Sequence, residues 1–286
     1  DPTDTNLFSM KQFFGKQHLF LIETASKHYF EPPYKEKEIV EAYKVSGFTD
    51  PLFSTFAQSM QSFHFYDNQV ELLGEQFVNP IAFGGINRYL FILEDTTFNG
   101  ADTTFTIFFR PRKGKDFEGL TGRLFINTNG FAIEKVSAKP YRSSSEGTYI
   151  TIIQEYAFLD GKKWFPVKLS TEVQMAFVAF NVSEGKTAFV TGKGATYMET
   201  VQFNPPELEK VKFNNIAVQT NVGSERIKDQ EWDSLRPYAL TDKEKNTYVL
   251  NDSLSKEEHL DKYLRLLKVL STGKIPLGYL NIDATK

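Results

Sequence analysis

Apolar and polar residues alternate along the stretch from Asn87 to Pro140, and this alternation predicts four consecutive antiparallel strands. Two Asn-Gly dipeptides, at 99–100 and 129–130, supply residues that tolerate the positive φ of tight hairpin turns. In the second strand, three apolar residues share one face: Phe105, Ile107 and Phe109. We therefore expect the chain to be organised around this meander, with that face buried.

The alternation changes phase within the meander. Leu124 and Ile126, in the third strand, continue the apolar face, whereas Ile133 and Val136, in the fourth, are three residues apart. A strand with one extra residue accounts for such a change of phase. We expect a bulge or a bend near Glu134.

Further strands flank the meander. Before it, residues 18–30 and 35–46 alternate in part and are separated by Pro32-Pro33, which favours a strand pair joined by a loop. After it, two hairpins are predicted over 149–159 and 164–182, the first turning at Asp160-Gly161, and a last long strand covers 187–203. About nine or ten antiparallel strands result, without the alternation of strand and helix that a parallel sheet requires.

Other segments predict loop and helix. Residues 65–73 favour one more strand, and 74–87, with Pro80 and Gly84-Gly85, favour a loop. Asp50-Pro51 is a typical helix start, followed by an apolar stripe to Met60. After Pro206 the chain becomes charged, and a capping box of Ser255 and Glu258 opens a predicted helix that ends before Gly273.

These patterns define a fold class and a domain division. We expect a mainly β (α+β) protein whose core is a curved antiparallel sheet or incomplete barrel with helices packed on its concave side. Residues 1–206 form the curved β domain with short helices in this interpretation. Residues 207–286 form a helical C-terminal extension.

Composition narrows the function classes. The 33 basic and 36 acidic residues give a net charge of −3 and are spread along the chain, so we expect neither nucleic acid nor an acidic membrane surface as a partner. The absence of cysteine excludes disulfides and thiolate chemistry. Aromatic residues make up 15% of the chain, which suits a sheet-rich core or a concave apolar surface. The opening residues DPTDTN lack a signal-peptide pattern, so we expect any such segment to have been removed or to lie upstream.

A search for catalytic motifs yields no catalytic residue, metal site or cofactor. Gly185-Lys186-Thr187 lacks the earlier glycine of a phosphate-binding loop, and the two Ser-x-x-Lys matches, Ser183–Lys186 and Ser271–Lys274, lack their companion motifs. His18 and His28, on one predicted strand, would stand roughly 33 Å apart at about 3.3 Å per residue, too far to share a metal. A glycosidase pair such as Glu94 with Glu134 stays open, because carboxylate separation is a tertiary property.

Several long phrases carry a family resemblance. They are KVSGF (44–48), FYDN (65–68), NPI (79–81), YLFILEDTTFNGADTTFTIFFRPRKGKDFEGLTGRLFINTNGFAI (89–133), DGKKWFPVKL (160–169) and WDSLRPYALTDKEKNTYVLNDSL (232–254). Together they resemble the middle region of Bacteroidetes-type outer-membrane proteins. In that family a carboxypeptidase-regulatory-like β domain precedes a domain of unknown function, and an outer-membrane β-barrel follows. The strand rhythm of the meander is also similar to the lipoprotein-carrier (Lol-like) fold, in which an incomplete barrel holds acyl chains.

The resemblance implies a non-enzymatic module on the periplasmic side of the outer membrane, with the β-barrel of the same polypeptide as its partner. If the sheet curls without closing, an apolar or acylated ligand would contact a groove lined by Phe105, Ile107, Phe109, Leu124 and Ile126. Two alternatives remain open: helices fill this groove as an ordinary core, or the protein is an envelope glycan hydrolase. A purely structural adaptor that positions partners of the barrel is a further hypothesis.

Overall fold

The computed structural model describes the greater part of the chain. The described residues are 15–18, 20–31, 35–47, 65–142, 148–183, 186–213, 218–221, 223–224, 228–254, 274–277 and 280–283. The predicted helices over 50–60 and 255–272 lie outside them.

Strands dominate the described residues. The fourteen strands are β1 (Phe20–Glu31), β2 (Lys35–Gly47), β3 (Gln69–Leu72), β4 (Glu75–Val78), β5 (Tyr89–Asn99), β6 (Asp102–Pro111), β7 (Leu120–Asn127), β8 (Ala132–Pro140), β9 (Thr148–Leu159), β10 (Lys163–Ser183), β11 (Lys186–Tyr197), β12 (Val218–Thr220), β13 (Lys274–Leu277) and β14 (Leu280–Asp283). The helices are α1 (Gly85–Arg88), α2 (Asp229–Leu235) and α3 (Asp242–Leu254), with a 3-10 turn at Pro206–Lys210.

The largest sheet has seven strands, β5 to β11, which pair antiparallel in chain order. β5 and β11 are its edges, so the sheet is open and not closed into a barrel. The other sheets are β1-β2-β12, β3-β4 and β13-β14. The predicted fold class, mainly β and antiparallel with an open, curved sheet, is confirmed.

The meander has the predicted turns and the predicted bulge. Gly100 and Gly130, the glycines of the two Asn-Gly dipeptides, have φ values of +64° and +75°. Phe125 pairs with Lys135 and Ile126 pairs with Ile133, so Glu134 is the extra residue between them. A bulge bends the strand that carries it and strengthens the local twist.

The segment predicted as a loop, 74–87, instead contributes β4 and α1. β3 and β4 form a hairpin whose two-residue turn, Leu73-Gly74, has positive φ at both positions, +52° and +82°. A leucine in this conformation is unusual, and a turn of this kind is normally signalled by Asn-Gly or Asp-Gly. The hairpin therefore had little signal in the sequence. The loop prediction is wrong at β4 and at the start of α1 and holds for residues 79–84 between them.

This hairpin covers one face of the seven-stranded sheet, which we call the covered face. From the hairpin side, Phe65, Val70, Leu72 and Phe77 are buried. They pack with buried residues of the sheet: Tyr89, Phe109, Leu120, Leu124, Ile133, Val136, Ala138, Ile150, Ile152, Tyr156 and Val173. Within this core the Tyr156 hydroxyl accepts a hydrogen bond from the Phe65 N–H (2.9 Å) and donates one to the Gln154 side chain (2.8 Å). The core therefore combines apolar packing with satisfied polar groups.

Contacts between Cα atoms divide the chain into two units. The first unit combines residues 1–55 with 201–286, and the second contains 56–200. This division differs from the expected continuous boundary at 206/207. The first unit is held together by non-local pairing: β12 adds to β2 in parallel, and α3 contacts β1 and β2.

A network of charged and aromatic groups fixes α2 and α3 to β1 within the first unit. The Arg236 guanidinium donates two hydrogen bonds to the Glu23 carboxylate, at 2.7 and 2.8 Å, and the Tyr248 hydroxyl donates a third. The Arg236 side chain is only 7% exposed. Burial raises the pKa of Glu23, but the hydrogen bonds from Arg236 and Tyr248 outweigh it and leave this pKa below its ordinary value.

α3 begins at a capping box formed by Thr241 and Glu244, within the phrase 232–254. The Glu244 carboxylate accepts hydrogen bonds from the N–H and the hydroxyl of Thr241, both at 2.7 Å. Further along the helix, the buried Thr247 accepts the His18 N–H at its hydroxyl (2.9 Å) and the Ser46 hydroxyl at its carbonyl (2.7 Å). The phrase 232–254 therefore supplies structural contacts of the first unit.

Candidate functional site

The five residues predicted to line a ligand groove lie together on the covered face. Phe105 pairs with Ile126, and Ile107 pairs with Leu124. Phe109 and Leu124 are buried in the core beneath the β3-β4 hairpin, whereas Phe105, Ile107 and Ile126 are half-buried. A ligand could therefore reach only the half-buried three, which lie toward the turn of β5 and β6, and their binding role stays a prediction.

The opposite face of the sheet carries a polar cluster beside the bulge. The Glu134 carboxylate accepts hydrogen bonds from the Thr104 hydroxyl (2.6 Å) and the Asn127 amide (3.1 Å). Thr104 and Asn127 are both buried. The extra residue in β8 thus directs a carboxylate toward two donors on neighbouring strands, which gives the bulge a structural role.

The second carboxylate of the suggested glycosidase pair is bound elsewhere. Glu94 is the extra residue of a second bulge, in β5. Its carboxylate accepts a hydrogen bond from the Arg123 guanidinium at 2.7 Å. Three strand spacings separate β5 from β8, which amounts to about 14 Å between backbones. Each carboxylate is thus engaged by its own donors, and this geometry gives no support to a hydrolase.

The histidines do not form a common site among the described residues. His18 precedes β1 instead of lying in it, and burial lowers its pKa. His28 lies in β1, with its Nε2 3.4 Å from a carboxylate oxygen of Glu38 on β2. His64 and His259 fall outside the described residues. Within the described part of the chain, no group of three His, Asp or Glu side chains could hold a metal ion.

The pair of His28 and Glu38 predicts a pH dependence. The hydrogen bond to Glu38 raises the pKa of His28 above its unfolded value, so the pair stabilises the β1-β2 sheet fully below that value. This contribution is lost as the pH rises through the higher, folded pKa of His28. This loss should lower the urea midpoint of the first unit between about pH 6 and 8, whereas His18, whose pKa is lowered by burial, contributes the opposite trend below about pH 6.5. A His28→Gln variant should lose this part of the slope, and an unchanged slope would contradict the assignment.

The end of the seven-stranded sheet where β5 begins and β6 ends is the better candidate for a functional surface. We call it the loop end and define it as residues 81–88, 111–119 and 141–142. The buried Tyr89 braces it: its hydroxyl donates to the Val78 carbonyl and accepts the Leu120 N–H at 3.0 Å. Burial raises the pKa of Tyr89 to about 12, so the hydroxyl keeps its proton at neutral pH.

Backbone contacts complete this bracing. The Val78 N–H donates to the Glu118 carbonyl (2.9 Å), and the Tyr141 N–H donates to the Gly119 carbonyl (2.8 Å). A Cβ at Gly119 would lie 2.6 Å from the Phe117 ring and 2.8 Å from the Tyr89 hydroxyl, so a larger residue would have to displace one of these side chains. These contacts fix the backbone at 118–120 and at Tyr141 beside Tyr89.

Replacing Tyr89 with Phe should lower the free energy of unfolding of the second unit by about 1–3 kcal/mol, because the Val78 carbonyl and the Leu120 N–H lose a buried partner. Urea unfolding followed by the fluorescence of Trp164, which lies in this unit, measures the change. Tyr149→Phe is the matched control, since Tyr149 is 58% exposed. Equal midpoints for the two variants would contradict the bracing role.

A cavity of about 210 Å³ opens at the loop end. Its lining consists of Pro111, Arg112, Lys113, Gly114, Lys115, Phe117, Tyr141 and Arg142. Arg112 is fixed by two contacts: its N–H donates to the Arg88 carbonyl (2.9 Å), and its guanidinium donates to the Ile86 carbonyl (3.3 Å). Arg142 lies 3.4 Å from the fully exposed Asp116. Such a cavity suits an anionic group.

The loop end concentrates positive charge. Five exposed cations, Arg88, Arg112, Lys113, Lys115 and Arg142, face two exposed acids, Asp116 and Glu118, a local balance of +3 in a chain of net charge −3. The expectation that charge is spread along the chain is therefore corrected, and the net charge of the whole chain does not exclude an acidic membrane surface as a partner of the loop end. The signal was present in the sequence, because Arg110–Lys115 holds four basic residues in six, but the whole-chain average concealed it.

Exposed apolar side chains accompany these cations. Phe83 is 99% exposed and Ile86 is 68% exposed. Both lie in a turn that the buried Asn79 organises by donating to the Phe65 carbonyl and accepting the Ile81 N–H, each at 3.1 Å. A Cβ at Gly85 would lie 2.0 Å from the Pro80 carbonyl oxygen, so the turn also depends on a glycine. Phe83 and Ile86 are thus presented to solvent by a well-braced turn.

Comparison with known proteins gives one match. A profile described as "Family of unknown function (DUF5686)" matches residues 4–192, well over half of the chain. No curated protein and no solved structure matches the chain. Of the helices in the part of the chain that the structure describes, none has the length and apolar character needed to cross a membrane.

Proposed function

We propose that this chain, which belongs to the DUF5686 family, is a non-enzymatic recognition module of a bacterial cell-envelope protein. The observation that carries the proposal is the loop end, where braced loops present exposed apolar side chains beside a basic cavity. A surface of this kind binds a partner that is itself both anionic and apolar.

The placement of the module is part of the proposal. The phrases quoted above support a position on the periplasmic side of the outer membrane, next to a β-barrel of the same polypeptide. In this setting, the domain binds an apolar or acylated ligand, or positions partners of the barrel. The half-buried residues Phe105, Ile107 and Ile126 offer a second, smaller apolar surface for an acyl chain.

Two measurements test the proposal. Fractionation of cells that produce the full-length protein, combined with protease digestion of intact and permeabilised cells, should place the domain in the periplasm. Native mass spectrometry of the protein purified from its own envelope should show a bound lipid or protein partner. A cytoplasmic location would overturn the envelope placement, and an envelope protein that carries neither ligand nor partner would overturn the recognition role.

A further inference from the structure

We propose that the loop end docks onto an anionic phospholipid bilayer, with Phe83 and Ile86 inserted among the headgroups and the basic cavity facing lipid phosphates. The inference deepens the proposed function and rests on it, because it names the partner of the same surface. The membrane is bound peripherally, through a protein surface that is already folded.

Charge complementarity favours this partner. The loop end carries five cations against two acids, and Lys113, Lys115 and Arg142 line one cavity together with Arg112. Among the described residues of this group, Arg142 and Asp116 form an ion pair between two exposed side chains at 3.4 Å, and such pairs are weak. The cations therefore remain available to an anionic surface, which attracts several of them at once.

The apolar residues distinguish a bilayer from a soluble anion. Binding at a membrane interface requires apolar area that enters the headgroup region in addition to positive charge. Phe83, at 99% exposure, and Ile86, at 68%, supply this area, and a soluble phosphate compound would leave it in water. The contact between the Arg112 guanidinium and the Ile86 carbonyl places charge and apolar surface side by side.

The opposite end of the same sheet offers an internal comparison. Phe98 and Phe131 are 80% and 73% exposed there, next to the turns of β5-β6 and β7-β8. No comparable group of cations accompanies them among the described residues of those turns, 99–102 and 127–132. The β9-β10 turn of the same end carries the exposed Lys162 and Lys163, and Trp164 beside it bonds to Asn129 in the turn of Phe131. Phe98 is therefore the residue that separates the effect of an exposed phenylalanine from the effect of phenylalanine beside positive charge.

Co-sedimentation of the full chain with vesicles tests the proposal. Vesicles of phosphatidylcholine with one quarter phosphatidylglycerol should bind the protein, pure phosphatidylcholine should bind it far more weakly, and binding should fall as salt is raised. Each lysine near an anionic surface contributes about fivefold to the partition coefficient, so K113Q/K115Q should lower it roughly 25-fold. Phe83→Ser should lower it about tenfold or more, since an inserted aromatic side chain is lost.

Phe98→Ser is the matched control and should bind like the unchanged protein. All these substitutions are at exposed positions, and circular dichroism confirms that each variant is folded. Equal losses for Phe83→Ser and Phe98→Ser would overturn the proposal. The proposal would also be overturned if inorganic phosphate or glycerol phosphate stabilised the protein against unfolding while the protein did not bind to vesicles. If the protein is located in the envelope but does not bind anionic vesicles, only this inference is refuted. If the protein is cytoplasmic, the proposed function is refuted, whether or not the protein binds vesicles.

Discussion

Replacing Arg236 with Met is expected to lower the free energy of unfolding of the first unit by about 3 kcal/mol, because the largely buried Glu23 carboxylate loses two hydrogen bonds from a cation and keeps only Tyr248 and the charge of Lys44 nearby. The Glu23 side chain is only 17% exposed and receives two hydrogen bonds from Arg236. Methionine preserves most of the packing against Trp232, whose ring lies 5.6 Å from the guanidinium, so the loss isolates the charge.

The fluorescence of Trp232 during urea unfolding measures this effect, in a Trp164→Phe background that leaves Trp232 as the single tryptophan. Lys35→Met is the control: its partner is Glu31, both side chains are exposed, and its removal should change stability by less than about 1 kcal/mol. The cost of Arg236→Met should shrink below about pH 4, where a protonated Glu23 no longer needs a cation. A constant cost across this range would contradict the role assigned to the pair.

The second large effect is expected at Gly122. A Cβ at this position would lie 2.0 Å from the backbone oxygen of Ser137, so Gly122→Ala must push β7 and β8 apart in the middle of the seven-stranded sheet. We expect a loss of about 3 kcal/mol in the stability of the second unit, the upper part of the range for overpacking.

Unfolding followed by Trp164 fluorescence measures the change at Gly122. Gly15→Ala, in the first unit, is the control for the substitution itself, because a Cβ there meets nothing within 4 Å; it should leave the unfolding midpoint of its own unit, followed by Trp232, unchanged. If Gly122→Ala unfolds at the same urea concentration as the unchanged protein, the close approach of β7 and β8 does not limit this position.

The parts of the fold that the sequence predicts are those with a local signal. The β5–β8 meander follows from two-residue alternation and from glycines placed where the turns need positive φ. Glu134 was identified as a bulge because one extra residue shifts every later side chain to the other face. The β1-β2 pair follows in the same way from two alternating runs separated by prolines.

What the sequence could not give depends on distant partners. The parallel pairing of β12 with β2 joins segments that are separated in sequence by the whole second unit. The three residues of β12 contain no pattern that predicts this pairing. The burial of Phe109 and Leu124 beneath the β3-β4 hairpin depends on a turn through Leu73 that lacks the usual residues. The basic loop end combines residues 88, 112–115 and 142. These residues are distant in sequence, and the antiparallel register of the strands brings them to the same end of the sheet.

The second unit is inserted within the first, and this order has a consequence for biosynthesis. The β1-β2 hairpin leaves the ribosome early, but its third strand and the helix that packs on it are made only after residues 56–200 are complete. The seven-stranded meander pairs each strand with its immediate successor, so it can form while translation continues. The edge of β2 therefore stays unpaired until β12 is made, and in that interval it is open to chaperones or to pairing with another copy.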